Sequence, residues 1–267
     1  HRGVVTSVVD DLHARGRYVL TQADLAPLPI RAAARKLAVN RLIHAGRLRP
    51  VGRRRGVWVI VPHEYRTWGG PPASWVVDGV MRALGEPYYV GLRSAAMYYG
   101  ATHHAVQVLQ VMVGTQLKLS ALGRERVRTI VRTNITATPR RQMPGQVAPL
   151  WCSTPCATAM DLVRYMETAG GLSTVGGVLL QMREAMEAAD MTTTARALDD
   201  APTVQRLGYL LDLIGAAKIA DACAAWLRGR TYRMVPLEHG RGAGPLEDAA
   251  TSPRWKLWLN ATPDLSL

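Results

Sequence analysis

The sequence contains no phenylalanine, three cysteines, and lysine only at Lys36, Lys118, Lys218 and Lys256. Each shortage narrows the chemistry. Cys152, Cys156 and Cys223 are an odd number in a chain that is 48% apolar and needs no disulfide stapling, so reduced, buried thiols acting as small hydrophobes are expected. Cys152 and Cys156 stand four apart, but no second Cys or His pair follows at a zinc-like distance, so no metal site is expected. His103 and His104 are adjacent and do not converge on one ion, which suits an exposed loop pair. A P-loop is missing. No Gly-Ser pair followed by spaced carboxylates, the pattern of a nucleotidyltransferase, occurs. A magnesium-dependent nuclease needs a carboxylate cluster with a nearby lysine, and only Lys256 follows acidic groups at modest spacing. Neither catalytic residue nor cofactor is therefore expected. No apolar run reaches about 18 residues, and His1-Arg2-Gly3-Val4-Val5 lacks the layout of a signal peptide, so a cytoplasmic protein without membrane association is expected.

What the sequence does have is positive charge, unevenly placed. The net charge is +13; residues 1–66 hold thirteen Arg or Lys against four Asp or Glu, a surplus of nine in a quarter of the chain. A basic segment this compact calls for an anionic partner, and nucleic acid suits it best. A membrane surface would want the cations opposite one apolar helix face, whereas these spread over helix and hairpin signals.

The order of elements supports that reading. Val4, Val5, Val8, Val9 and Leu12 recur at helical spacing and Gly16 closes the first helix. Tyr18-Val19-Leu20 is extended, and Thr21 with Asp24 three residues on starts a short second helix to about Ala26, by a relative of the capping box. Pro27 and Pro29 mark a tight turn into a third helix, Ile30 to Ala45. On it Ile30, Ala33, Ala34 and Leu37 are expected to face the core, with Arg31 and Arg35 on another face and Lys36 beside them. Arg47 to Val51, the tip Gly52-Arg53-Arg54-Arg55-Gly56 and Val57 to Val61 read as a hairpin. Helix, short helix, turn, helix and hairpin is the order of a winged helix-turn-helix. Arg31, Arg35, Lys36 and Arg41 on the third helix would meet bases and backbone in the major groove, and Arg53, Arg54 and Arg55 would meet phosphates. The alternative is that these cations only solvate a helix and a turn.

Thr67-Trp68-Gly69-Gly70-Pro71-Pro72 interrupts the periodicity and sets the expected boundary between a DNA-binding domain, residues 1–66, and a second domain, residues 73–260. The second domain mixes helices (Ser74–Leu84, 155 onward, Leu172–Met186, Thr203–Ile214, Ile219–Leu227) with strands at Gln107–Val113, Arg126–Arg132 and Arg254–Asn260. The fold class is thus mixed α+β, a winged helix followed by a larger α/β domain. Asp161, Arg164 and Tyr165, with Arg206, Tyr209 and Asp212, form a candidate functional surface; pairing within a helix, as of Asp161 with Arg164, is the competing explanation.

Four blocks in order carry a resemblance. Arg55-Gly56-Val57-Trp58-Val59-Ile60-Val61-Pro62 follows the winged-helix start. Pro87-Tyr88-Tyr89-Val90-Gly91-Leu92-Arg93-Ser94-Ala95-Ala96 comes next, then Ser153-Thr154-Pro155 with Ala159-Met160-Asp161-Leu162-Val163-Arg164-Tyr165, and finally Gln205-Arg206-Leu207-Gly208-Tyr209-Leu210-Leu211-Asp212. Together they resemble the AbiEi family of antitoxins over most of the chain. The absence of phenylalanine departs from what that family's strands would lead one to expect. The resemblance implies a transcriptional repressor that binds double-stranded DNA at inverted repeats by its own promoter. It also implies a partner, a cognate AbiEii-like nucleotidyltransferase toxin of an abortive-infection, phage-resistance system, countered without a stable complex being required. An operator of two half-sites can be filled by a dimer or by two cooperating monomers. The competing class is a nuclease that uses the winged helix only for targeting.

Overall fold

A computed structural model describes residues 3–52, 56–102, 107–119, 122–123, 126–239 and 250–265. It is mixed α+β. Contact density divides the chain into two compact units: residues 1–90 with 107–135 and 142–151, and residues 91–106 with 136–141 and 152–267.

The first unit begins with α1 (Val4–Ala14), β1 (Val19–Thr21), α2 (Gln22–Leu25), α3 (Ala32–His44), β2 (Leu48–Pro50) and β3 (Val57–Ile60). The strands form a three-stranded antiparallel sheet in the order β1-β3-β2, with Leu20 opposite Trp58 and Arg49 opposite Val59. Three helices and then a hairpin follow one another in the order read from the sequence. Gly16, at φ +72°, ends α1 in a conformation that β-carbon-bearing residues disfavour. A full capping box starts α2: the Asp24 amide donates to Thr21 Oγ1 and the Thr21 amide to Asp24 Oδ2, at 3.3 and 2.8 Å. Val5, Val9 and Leu12 of α1, Leu25 of α2, Val39 and Leu42 of α3, and Leu20, Leu48 and Ile60 of the strands build one core.

Beyond the Gly/Pro stretch, α4 (Ala73–Leu84) lies against β1 and β3 of the same unit. Contact is close enough that a β-carbon on Gly79 would sit 2.9 Å from a Val19 methyl. Trp75 of α4 continues the seam, 5.3 Å from the Tyr18 ring and 5.6 Å from the Tyr65 ring.

Five strands, β4 (Tyr88–Val90), β5 (Val108–Val113), β6 (Arg126–Val131), β7 (Arg140–Met143) and β8 (Leu150–Ser153), form a sheet in the order β6-β5-β4-β8-β7. β4 runs antiparallel to β5, and β5 parallel to β6.

The second unit is largely helical: α5 (Leu92–Ala96), α6 (Pro155–Arg164), α7 (Leu172–Met182), α8 (Ala188–Leu198), α9 (Ala201–Leu213) and α10 (Ala217–Leu227). α6 is its centre. Every residue from Pro155 to Val163 is buried, and α5, α7, α8 and α9 surround it. Its N-terminus is built as its sequence dictates, with Thr154 capping the Ala157 amide and Pro155 in the first turn. Asp190 of α8 adds a second cap, accepting from the Cys156 amide at 3.1 Å. A small sheet of β9 (Val235–Pro236), β10 (Thr251–Ser252) and β11 (Leu257–Trp258) closes the chain in the order β10-β11-β9. β10 and β11 are two residues each, so the expected strand from Arg254 to Asn260 is mostly turn and loop.

Among the described residues no helix is long and apolar enough to cross a membrane, and no group of three or more His, Cys, Asp or Glu is placed to hold a metal ion. All three cysteines are free and buried. Burial pushes the Cys152 thiol up to about 12, against the lowering influence of Tyr99 and Arg141, and pushes Cys156 and Cys223 up as well.

Candidate nucleic-acid interface

The candidate interface is built on α3 and the β2–β3 hairpin. α3 turns its faces differently from the sequence expectation. Val39 and Leu42 are buried, with Ala38 and Ile43 partly so, while Ala33 and Ala34 are exposed and Leu37 is 51% exposed. At about 100° per residue the outward line of the helix is Ala33, Leu37, Asn40 and His44, with Lys36 and Arg41 to either side. The expected inward face was thus correct only for Ile30, which packs on the core ahead of the helix.

This reorientation separates the four cations assigned to the helix. Lys36 and Arg41 are exposed and flank the outward line. Arg31 is exposed too, but as the extended N-cap residue rather than within the first turn. Arg35 lies on the buried side. Its Nη2 donates to the carbonyl oxygens of Ala26, Leu28 and Ile30 at 3.4 to 3.5 Å, and its Nε is buried. Arg35 ties down the turn between α2 and α3 and also lines the groove between α3 and the hairpin. Asn40 and His44 are outward residues that the sequence reading passed over, and Leu37 is one that it turned inward.

Between α3 and the hairpin lies a groove of about 520 Å³, lined among others by Gln22, Lys36, Asn40, Pro50 and Trp58, with Gly52 and Gly56 at its end. Arg53, Arg54 and Arg55 lie outside the described residues. Gly52 and Gly56, on either side of them, have φ +55° and +94°, in the left-handed region that favours glycine. Gly52 is also pressed against the chain: a β-carbon there would come within 2.8 Å of the Lys118 carbonyl oxygen. Two of the basic residues near α1 are engaged. Arg47 pairs with Asp10, and Arg17 with Asp24 at 3.0 Å. For Asp24, burial alone would raise the carboxyl, but hydrogen bonds from the Thr21 side chain and backbone and from Arg17 outweigh it and hold the group below its ordinary value.

The six polar residues proposed as a surface of the second domain have mostly structural partners. Asp161 is fully buried in α6. Arg164 does not pair with it; it bridges to Asp200, which caps α9 by accepting from the Thr203 amide at 3.2 Å. Arg206 is buried and its Nε donates to the Pro236 carbonyl at 2.9 Å, while Asp212 accepts from Trp255 Nε1 at 2.7 Å and from Arg254 at 3.1 Å. Tyr165 and Tyr209 are half-buried. On α9, therefore, Arg206 and Asp212 work with Gln205, whose Nε2 donates to the carbonyls of Arg233, Trp255 and Lys256 at 2.9 to 3.1 Å. They hold the C-terminal segment. An exposed six-residue surface is not what these side chains form.

With this geometry in view, the likeness to known proteins can be stated. In overall fold the chain is similar to the crystal structure of the RV2827C protein from Mycobacterium tuberculosis, with a TM-score of 0.63, 16% identity, and coverage of 95% of this chain and 90% of that one. At that identity the likeness is one of fold. No curated protein matches the chain in sequence. Residues 89–213, from β4 to the end of α9, match the family model for the AbiEi antitoxin C-terminal domain. Over that stretch, a little under half of its length, the chain is similar to the AbiEi antitoxin C-terminal domain.

Proposed function

We propose that this protein is a DNA-binding antitoxin without catalytic activity of its own. It represses its own operon by binding inverted repeats beside the promoter, and it counters a nucleotidyltransferase-like toxin of the AbiEii kind without a stable complex being required. The observation that carries the reading is the combination, in one chain, of a stretch, residues 89–213, similar to the AbiEi antitoxin C-terminal domain with a basic N-terminal segment folded as helix, turn, helix and hairpin. The outward cations Lys36 and Arg41, with Arg31 at the helix start, suit a duplex backbone, and the thickness of α3 suits a major groove. The arginine tip would add phosphate contacts that raise affinity without choosing sequence.

Two assays with the full chain test it. In the first, the protein should retard a duplex carrying its own upstream region more strongly than a shuffled duplex of equal length. In the second, co-expression should restore growth to cells producing the nucleotidyltransferase-like protein encoded beside it. Equal retardation of both duplexes would remove the repressor half, and unrelieved toxicity the antitoxin half. Substitution is preferable to cutting at residue 66, because a cut there strips α4 from Val19 and Tyr18.

A further inference from the structure

The outward line of α3 has a composition that backbone binding does not explain. A helix that only had to meet phosphates would present cations throughout, yet between Lys36 and Arg41 it presents Ala33, Leu37 and Asn40. All three are exposed, and Leu37 is among the most exposed large apolar side chains in the described residues. Exposing a leucine at the centre of a basic face forfeits burial unless a ligand covers it. Charge complementarity identifies that ligand: the flanking cations, in a segment with nine surplus positive charges, suit the polyanionic walls of a duplex groove.

We propose that α3 reads adenine–thymine base pairs in the major groove. Asn40 pairs with adenine through its carboxamide, and Leu37, supported by Ala33, packs on a thymine methyl group. The inference rests on the DNA-binding reading above and adds its base specificity. The chemistry is complementary. An asparagine amide donates to adenine N7 and accepts from N6 at once, and the thymine methyl is the groove's apolar feature. The spacing fits as well. Leu37 and Asn40 are three residues apart, about 4.5 Å along the helix axis, close to the separation of neighbouring base pairs of about 3.4 Å. Ala33, one turn earlier, is small enough to let the helix approach. Asn40 also borders the groove between α3 and the hairpin, so its amide has room to turn onto a base edge.

The test is selection by the full chain from a duplex library with a randomised core, followed by binding measurements on the selected duplex. The expected result is enrichment of an A·T step in each half-site. Asn40→Ala should lower discrimination at the adenine about tenfold while affinity for random-sequence duplex stays unchanged. Replacing the thymine by uracil should weaken wild-type binding about fourfold, one methyl group's worth, and leave Leu37→Ala unaffected. Circular dichroism establishes that both variants fold. Enriched sites without A·T steps, or variants that keep full discrimination, overturn the inference and leave DNA binding standing. So does loss of protection from the toxin in these variants with unchanged site selection, which would make the stripe a protein contact. A wild-type chain that retains no duplex even at low salt overturns the DNA-binding reading itself.

Discussion

Gly208 offers a test with an unusual sign. It lies within α9, where replacing glycine by alanine normally stabilises by about 1 kcal/mol. Here the added β-carbon would fall 2.1 to 2.5 Å from three carbons of the Trp255 ring, and Trp255 is only 1% exposed. The ring cannot yield without leaving its seat, because Asp212 holds its Nε1 at 2.7 Å and Gln205 holds the backbone of Trp255 and Lys256. Losing a buried tryptophan costs about 3–5 kcal/mol, so Gly208→Ala should destabilise by a net of about 2–4 kcal/mol. In a Trp255→Ala background the clash is gone, and the same substitution should stabilise by about 1 kcal/mol. Urea denaturation of the four proteins in this double-mutant cycle should therefore give a coupling of about 3–5 kcal/mol. A Gly208→Ala protein more stable than the parent, or additive single effects, would refute the claim that α9 is the seat of the C-terminal segment.

Three further outcomes are expected. Asp24→Asn should cost about 1 kcal/mol at neutral pH by breaking the α2 capping box. Because the folded carboxyl is held below its ordinary value of 3.8, that contribution is present above the unfolded value and disappears as the pH falls through the folded one; stability curves of the two proteins should converge in acid. The three thiols should resist a disulfide reagent in the native protein at pH 8 and react at once in urea, since burial keeps them protonated; fast native labelling would contradict the buried placement. Replacing Arg53, Arg54 and Arg55 together by Ala should weaken duplex binding and lower its salt dependence by a slope of about 0.9 per lost phosphate contact, read by anisotropy titrations across salt.

Much of the fold could be read from local chemistry. Gly16, the Thr21–Asp24 box and Thr154-Pro155 each specify a helix boundary by satisfying orphan backbone amides or by a backbone only glycine adopts readily, and each is formed. The orientation of α3 was harder. Ile30, Ala33, Ala34 and Leu37 repeat at helical spacing as well as Val39 and Leu42 do, so periodicity offered two faces and long-range packing against α1 and the strands chose one. α8 was not among the helices expected, and its Thr192, Thr193 and Thr194 are weak helix formers. In the fold, Thr192 and Thr193 turn their hydroxyls back onto the carbonyls of Ala188 and Ala189 at 3.0 Å, and Thr194 bonds to Asp190. The roles of Arg206 and Asp212 were illegible for another reason. Their partners, Pro236 and Arg254 with Trp255, lie thirty or more residues away, and no local pattern announces such contacts. On the candidate interface, the hold of Arg35 on the turn between α2 and α3 depends on backbone carbonyls that a charge count does not reveal.

The account turns on whether the outward face of α3 engages DNA. The most direct measurement is the affinity of Lys36→Ala/Arg41→Ala for a duplex carrying the protein's own upstream region, titrated by fluorescence anisotropy at several salt concentrations. Two lost phosphate contacts should reduce the slope of log affinity against log salt by about 1.8 and weaken binding at every salt concentration tested. Unchanged affinity and slope in the folded variant would contradict the account.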